Sequence, residues 1–138
     1  MKKLLIPLAL LLVFASCKKS DSSSCTLSEA SVAGTYKVTG ATVRAAGTST
    51  DINVFDTYFP DACDKSELTT FAAGGVLNVH ASSGCPTTDD YTSTWSLSGS
   101  TLTIDGDPYT VKSFTCNTVV VTQTDGSGNI TTVTVTRQ

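Results

Sequence analysis

From residue 34 onward, β-branched and aromatic residues alternate with polar ones in short runs, and Gly, Asn, Asp or Ser separates the runs. Alternation with a period of two is typical of strands that bury one face. The predicted eight strands are at about 34–43, 67–71, 76–81, 91–97, 101–105, 109–114, 118–124 and 130–137. No helical period persists, although Thr26-Leu27-Ser28-Glu29 has capping-box spacing and predicts one helical turn before the first strand.

The connections after the first are short, and short links between antiparallel strands produce a meander. An open meander leaves two exposed edges that promote aggregation, whereas pairing the first strand with the eighth removes both edges. We therefore expect an all-β fold, an eight-stranded antiparallel up-and-down barrel, over residues 26–138. The alternative is an open β-sandwich with Greek-key crossings, which needs longer crossing loops than the second half of the chain provides.

The alternation also predicts which side chains point into the barrel. An eight-stranded barrel has an interior that side chains either fill or share with one small ligand. The predicted inward residues are Tyr36, Val38, Leu68, Tyr91, Trp95, Leu97, Leu102, Ile104, Tyr109, Val111, Val119 and Val121. Most of these are expected to form ordinary core. If Trp95 is buried, its indole N–H needs a hydrogen-bond partner.

The first long connection, from Arg44 to Ala62, carries several apolar side chains, among them Phe55, Tyr58 and Phe59. Long connections in small domains are often functional, and exposed apolar groups must pack against something. One interpretation is a lid over an apolar pocket at the open end of the barrel. The other is that these residues simply cover the core.

The N-terminus has the organisation of an export signal. Lys2 and Lys3 precede an apolar run from Leu4 to Phe14, which has signal-peptide length and is too short to cross a bilayer. A buried N-terminal helix is the alternative, but the positive start and the small residues before Cys17 favour a signal peptide.

Phe14-Ala15-Ser16-Cys17 resembles a bacterial lipobox, in which a peptidase cleaves before the cysteine and the thiol carries a diacylglycerol. The resemblance implies a signal peptide at 1–16, a lipidated Cys17 and a flexible tether at 17–25. We expect an outer-membrane lipoprotein in the envelope of a Gram-negative bacterium, with its N-terminal lipid in the membrane.

The charge balance argues against a nucleic-acid partner. Cleavage after residue 16 would remove two of the nine basic residues and none of the twelve acidic ones, which leaves seven against twelve and a net charge of −5. No basic residues cluster after Lys19, and binding to phosphates requires clustered Lys and Arg.

Four cysteines remain once Cys17 is assigned to the lipid, an even number in an oxidising compartment, so two disulfides are expected. Of the three possible connectivities we favour Cys63–Cys85 with Cys25–Cys116. A four-thiolate zinc site is the alternative, but the sequence has no Cys-x-x-Cys pair to support it.

Four features between Ser28 and the C-terminus resemble one family. They are Gly34-Thr35-Tyr36 at the first strand, Cys63 to Phe71 followed by Gly74-Gly75, Thr94 to Leu102 with its Trp-x-Leu-x-Gly pattern, and Arg137 near the end of the last strand. Together they resemble the lipocalin-like lipoproteins of Bacteroidota, small eight-stranded calyx domains. The resemblance implies that Arg137 lies over Tyr36 and closes the base of the barrel through a cation–π contact of about 0.5–2 kcal/mol.

The candidate chemistry is sparse. His80 is the single histidine and is expected at the surface, and no Gly-x-Ser-x-Gly sequence is present. Asp125 to Asn129 has oxygen side chains at alternate positions, but a glycine-rich hairpin turn is favoured over a calcium loop. The acidic residues around Cys63 are expected to be solvated rather than paired for glycoside cleavage; they are Asp56, Asp61, Asp64 and Glu67. We therefore expect no enzymatic activity, cofactor or metal.

The sequence thus favours a non-enzymatic binder of a small apolar or amphipathic molecule. The residues expected to contact that ligand are Tyr36, Val38, Phe55, Tyr58, Phe59, Tyr91, Trp95, Leu97 and Tyr109. The alternative is a filled barrel that acts as a protein–protein interaction module of the envelope.

Overall fold

A computed structural model describes residues 25–86 and 90–138. The predicted signal peptide, Cys17 and all but the last residue of the predicted tether lie outside the described residues. The elements are α1 Glu29–Val32, β1 Gly34–Arg44, β2 Asp51–Asn53, α2 Phe55–Tyr58, α3 Ala62–Ser66, β3 Leu68–Ala72, β4 Val76–His80, β5 Tyr91–Ser98, β6 Thr101–Ile104, β7 Asp107–Phe114, β8 Thr118–Thr124 and β9 Ile130–Arg137. Within the described residues, no helix is long and apolar enough to cross a membrane.

The sheet closes on itself. Strands β3 to β9 pair antiparallel in sequence order, and β1 pairs with β3 on one side and with β9 on the other. The β1–β9 pairing runs from Tyr36 opposite Arg137 to Arg44 opposite Ile130, with one register shift between Val38 and Gly40. Closure removes the two edges that an open meander would expose. The predicted eight-stranded up-and-down barrel is confirmed.

One strand was not predicted. β3 pairs only with the first part of β1, from Gly34 to Lys37. The upper part of the same β1 edge pairs with β2, from Thr42 opposite Asn53 to Arg44 opposite Asp51. The long connection therefore folds back as a short ninth strand, because the extended end of β1 would otherwise offer unpaired backbone groups.

The strand directions give the barrel two different ends. The base holds α1, the start of β1, the end of β9 and the β3–β4, β5–β6 and β7–β8 turns. The mouth holds the long connection between β1 and β3, the described part of the β4–β5 connection, and the β6–β7 and β8–β9 turns. A disulfide lies at each end: Cys25–Cys116 at the base and Cys63–Cys85 at the mouth, the pairing favoured from the sequence.

Aromatic side chains fill the base. Tyr36 is completely buried, and its ring meets Phe71 edge to face with the centroids 5.7 Å apart. Phe71 meets Trp95 in the same way at 5.3 Å. The Trp95 indole N–H donates to the carbonyl of Ala72 at 2.9 Å, which supplies the partner that burial requires. The base is therefore a solid core.

Arg137 joins the segments that meet at the base. Its guanidinium donates to the carbonyl oxygens of Cys116 at 3.0 Å, Ala33 at 2.9 Å and Ser31 at 2.6 Å. It also donates to the Tyr36 hydroxyl at 2.7 Å and lies 4.9 Å from the centre of that ring. One side chain thus connects α1, β1, the β7–β8 turn and β9.

Gly34 makes room for this contact. A Cβ built at Gly34 would overlap the Arg137 guanidinium, and the backbone φ of +152° disfavours any other residue.

The helical turn before β1 is present, but its cap differs from the prediction. Ser28, rather than Thr26, is the N-cap, and the reciprocal partner is Ser31 rather than a glutamate. Ser31 is short enough to bond the Ser28 backbone N–H at 2.9 Å while its hydroxyl also donates to Thr26. Glu29 instead accepts from the Leu97 N–H at 3.3 Å, so it tethers the turn to β5.

We expect Arg137→Ala to lower the free energy of unfolding by about 3 kcal/mol, because it removes several charge-assisted hydrogen bonds and a cation–π contact together. Arg137→Lys should lose most of this stability, since an ammonium cannot reproduce the planar fork. Arg44→Ala is the control: Arg44 is partly exposed, and its ion pair with Asp51 is long at 3.8 Å. Urea unfolding of the oxidised domain measures all three, and equal losses for Arg137→Ala and Arg44→Ala would contradict the assigned role.

Candidate functional site

A cavity of about 320 Å³ lies between the aromatic base and the mouth. Its volume is at the lower end of the ~300–1,000 Å³ typical of small-molecule sites. The lining residues are Val32, Val38, Phe59, Thr69, Phe71, Leu77, Tyr91, Leu102, Ile104, Tyr109, Val119, Val121, Val133 and Val135. Every barrel strand contributes, so the cavity lies in the interior of the barrel itself.

The alternation along each strand produces this lining. On β8, Val119 and Val121 point inward, and on β9, Val133 and Val135 do so opposite them. The register places Val119 opposite Val135 and Val121 opposite Val133. Two neighbouring strands therefore present one continuous valine surface to the cavity.

The lining is apolar apart from a few hydroxyl groups. The hydroxyl groups belong to Thr69 on β3, to Tyr91 at the start of β5 and to Tyr109 near the start of β7. None of the lining residues carries a charged side chain. The surface can bury an apolar body and offer hydrogen bonds at its upper edge, where the tyrosines lie.

Four of the nine residues that the sequence proposed for ligand contact line this cavity: Val38, Phe59, Tyr91 and Tyr109. Of the other five, Tyr36 and Trp95 are in the filled base, and Leu97 packs against the same core. Phe55 and Tyr58 lie in α2 and do not reach the cavity. Tyr36 is completely buried and lies outside the lining, and its hydroxyl is bonded to Val32 and Arg137, so it is not accessible to a ligand in the cavity.

The long connection covers part of the mouth through one residue. Phe59 lines the cavity, and Phe55 packs against it with ring centres 5.3 Å apart. The Lys65 Nζ lies 5.9 Å from the centre of the Phe55 ring and 2.8 Å from an Asp56 carboxylate oxygen. These two contacts join α3 to α2. Tyr58 is 52% exposed and does not line the cavity.

Several lining residues were not proposed from the sequence. Four of them follow the two-residue alternation of β3, β4 and β9, so this alternation could have identified them as inward-facing; they are Phe71, Leu77, Val133 and Val135. Val32 had no such signal, because it precedes β1 and reaches the interior only through the helical turn.

Acidic residues surround the tyrosines at the mouth. Asp105, in the β6–β7 turn, accepts a hydrogen bond from the Ser93 hydroxyl at 2.8 Å. Burial raises the pKa of Tyr91, and the nearby charges of Glu67 and Asp105 raise it further. Burial also raises the pKa of Tyr109, with a smaller contribution from Asp107.

The remaining candidate chemistry does not form a site. His80 lies 3.5 Å from Asp90 at the surface. Asp125 accepts hydrogen bonds from the backbone of Ser127 and Asn129 and from the Asn129 amide, and the Asn129 bonds are the main reason its pKa is lowered. This segment is a hairpin turn held by its own side chains. Within 25–86 and 90–138, no group of three or more His, Cys, Asp or Glu residues could hold a metal ion.

The family model of the lipocalin-like domain matches residues 32–136. The chain belongs to the lipocalin-like domain family. The match covers the whole barrel, from the end of α1 to the last residues of β9. No curated protein and no solved structure is significantly similar to the chain. A lipocalin-like barrel is compatible with the binding of small hydrophobic molecules in its interior.

We expect the tyrosinate absorbance of the folded domain to develop at higher pH than that of the denatured chain, because the pKa values of Tyr36, Tyr91 and Tyr109 are raised on folding. The folded state retains these protons to higher pH than the denatured chain does. The contribution of the three tyrosines to stability is therefore fully present below about pH 10 and is lost as the pH rises above it. Tyr91→Phe and Tyr109→Phe should each remove part of the late titration. Superimposable curves for folded and denatured protein would contradict the burial of Tyr36 and the effect of the nearby carboxylates on Tyr91, which is 53% exposed.

Proposed function

We propose that this protein is a non-enzymatic binder that holds a small apolar or amphipathic molecule in its barrel. The observation that carries the proposal is the apolar cavity of about 320 Å³ that remains above the aromatic base. The lining residues include no Ser, Cys, His, Lys, Asp or Glu, so they offer no nucleophile with an adjacent base.

The energy of binding would come from burial of the ligand. Transfer of apolar surface from water contributes about 25 cal/mol per Å², and a preformed cavity avoids much of the cost of ordering the protein. The β-branched valines have restricted χ1 rotamers, so the walls keep their shape when the ligand leaves. Phe59 would shield the ligand from solvent at the mouth.

We also propose that the mature protein begins at a lipidated Cys17, in the outer membrane of a Gram-negative envelope. Each buried methylene of the acyl chains contributes about 0.8 kcal/mol, and several chains together give a stable anchor. Residues 18–24 are polar and small, so they would act as a flexible spacer between the membrane and the barrel.

A second candidate is a protein–protein interaction module. Ile52 is 60% exposed and Tyr58 is 52% exposed, and both belong to the connection over the mouth. A partner could bury these side chains whether or not the cavity is occupied.

We expect Val133→Phe to abolish binding of a fluorescent apolar probe, because the larger ring occupies the cavity that Val133 lines. Val76→Phe is the matched control: Val76 is 40% exposed and lies outside the lining, so this variant should bind as the wild type does. Far-ultraviolet circular dichroism confirms that both variants are folded. If the wild-type protein binds no probe, or if Val133→Phe binds normally, the capture proposal fails and the interaction module is favoured.

We expect Cys17→Ser to release the protein from the membrane fraction of the producing bacterium, since the hydroxyl does not replace the thiol as the lipid acceptor. Mass spectrometry of the wild-type N-terminal peptide should show a diacylglyceryl cysteine at residue 17. Cys17→Ser protein that stays with the membrane, or an unmodified wild-type Cys17, would contradict the anchor.

A further inference from the structure

The charged side chains are unequally distributed between the two ends of the barrel. Of the ten carboxylate residues in the described parts of the chain, nine lie in or beside the connections at the mouth, and only Glu29 lies at the base. Of the five described Lys and Arg residues, only Arg44 and Lys65 lie at the mouth. An end with so unequal a balance carries a negative potential over its opening.

The two basic residues at the mouth are already engaged with carboxylates. Arg44 pairs with Asp51, and Lys65 pairs with Asp56 while packing on Phe55. Neither residue lines the cavity. A ligand carboxylate entering the barrel would therefore have to compete with carboxylates of the protein for either cation.

Three carboxylates lie beside residues of the cavity lining or act on them. Asp105 is fixed by the hydroxyl of Ser93, the inward residue that follows Tyr91 on β5. Asp107 faces Ile104, a lining residue, across the β6–β7 turn. Glu67 directly precedes β3, and its charge acts on the Tyr91 hydroxyl. They contribute no lining surface, so their effect on a ligand is electrostatic.

We propose that the cavity selects amphipathic molecules whose polar end is positively charged, such as an amine or quaternary ammonium on an apolar body, and discriminates against fatty carboxylates. The apolar body would lie on the valine surface of β8 and β9. The cationic end would lie at the mouth beside the rings of Tyr91 and Tyr109, where a cation–π contact adds to the attraction of the carboxylates. This inference rests on the proposed binding function and specifies its ligand class.

The test compares three ligands with the same apolar chain: decyltrimethylammonium, decanol and decanoate, each below its micelle concentration. Competition against a fluorescent probe at neutral pH gives the dissociation constants. We expect the ammonium to bind about tenfold more tightly than decanoate, with decanol between them, because attraction and repulsion at a partly solvated rim each change affinity by a few-fold. Added salt should reduce the difference and leave decanol unchanged.

Asp105→Asn is the diagnostic variant, since asparagine tolerates the positive φ of 52° at this position and its side-chain oxygen can still accept from Ser93. It should lower the ratio of ammonium to decanoate affinity by roughly two- to threefold. Glu29→Gln makes the same change of charge at the base and should leave the ratio unaltered.

The outcomes separate the two proposals. If decanol does not bind, the cavity does not capture apolar molecules, and both proposals fail. If decanol binds but decanoate binds as tightly as the ammonium, the capture function stands and the selection for cations is wrong. An equal effect of Asp105→Asn and Glu29→Gln would also overturn the proposed selection for cations. The selectivity would then reflect the total charge of the protein and not the position of the carboxylates at the mouth.

Discussion

The structure depends on the pairing of the first and last strands, and Arg137 is the side chain that holds their ends together. Its guanidinium satisfies carbonyl groups of α1 and the β7–β8 turn while it covers the buried Tyr36 ring. These segments are distant in sequence, so their chain entropy opposes the contact until the sheet is complete. The Cys25–Cys116 disulfide spans 91 residues at the same end and reduces that opposing entropy, by about 4–5 kcal/mol in the chain-entropy model.

The closed base explains where the cavity lies. Tyr36, Phe71 and Trp95 are buried and pack edge to face, so they fill the base of the barrel. Above them the inward positions of β8 and β9 are valines, which leave the centre of the barrel empty. Because the barrel diameter is set by the number of strands and not by the side chains, smaller inward residues produce a void where larger ones produce core.

Much of this organisation could be predicted from the sequence, because a two-residue period and turn residues are local signals. The predicted strands from β4 to β9 lie within a residue or two of their observed bounds, and the indole N–H of Trp95 has the hydrogen-bond partner that the sequence requires if the ring is buried. β2 could not be predicted, since Asp51–Asn53 has no alternation and forms only because β1 extends beyond β3. The sequence also could not predict that Tyr36 belongs to the core whereas Val38 lines the cavity. That difference depends on the position of each residue along the barrel axis and on the register shift beside Val38.

The Cys63–Cys85 disulfide restrains the segment that covers the mouth of the barrel. It fixes the connection after Phe59 to the connection that follows β4, while β2 fixes the beginning of the same segment to β1. Phe59 therefore lies on a segment that is attached to the barrel on both sides, by the pairing of β2 with β1 and by the disulfide. If the barrel binds a ligand as proposed, entry through the mouth would require this segment to bend between its two attachments, and reduction of the disulfide would shorten the ligand's residence time in the barrel.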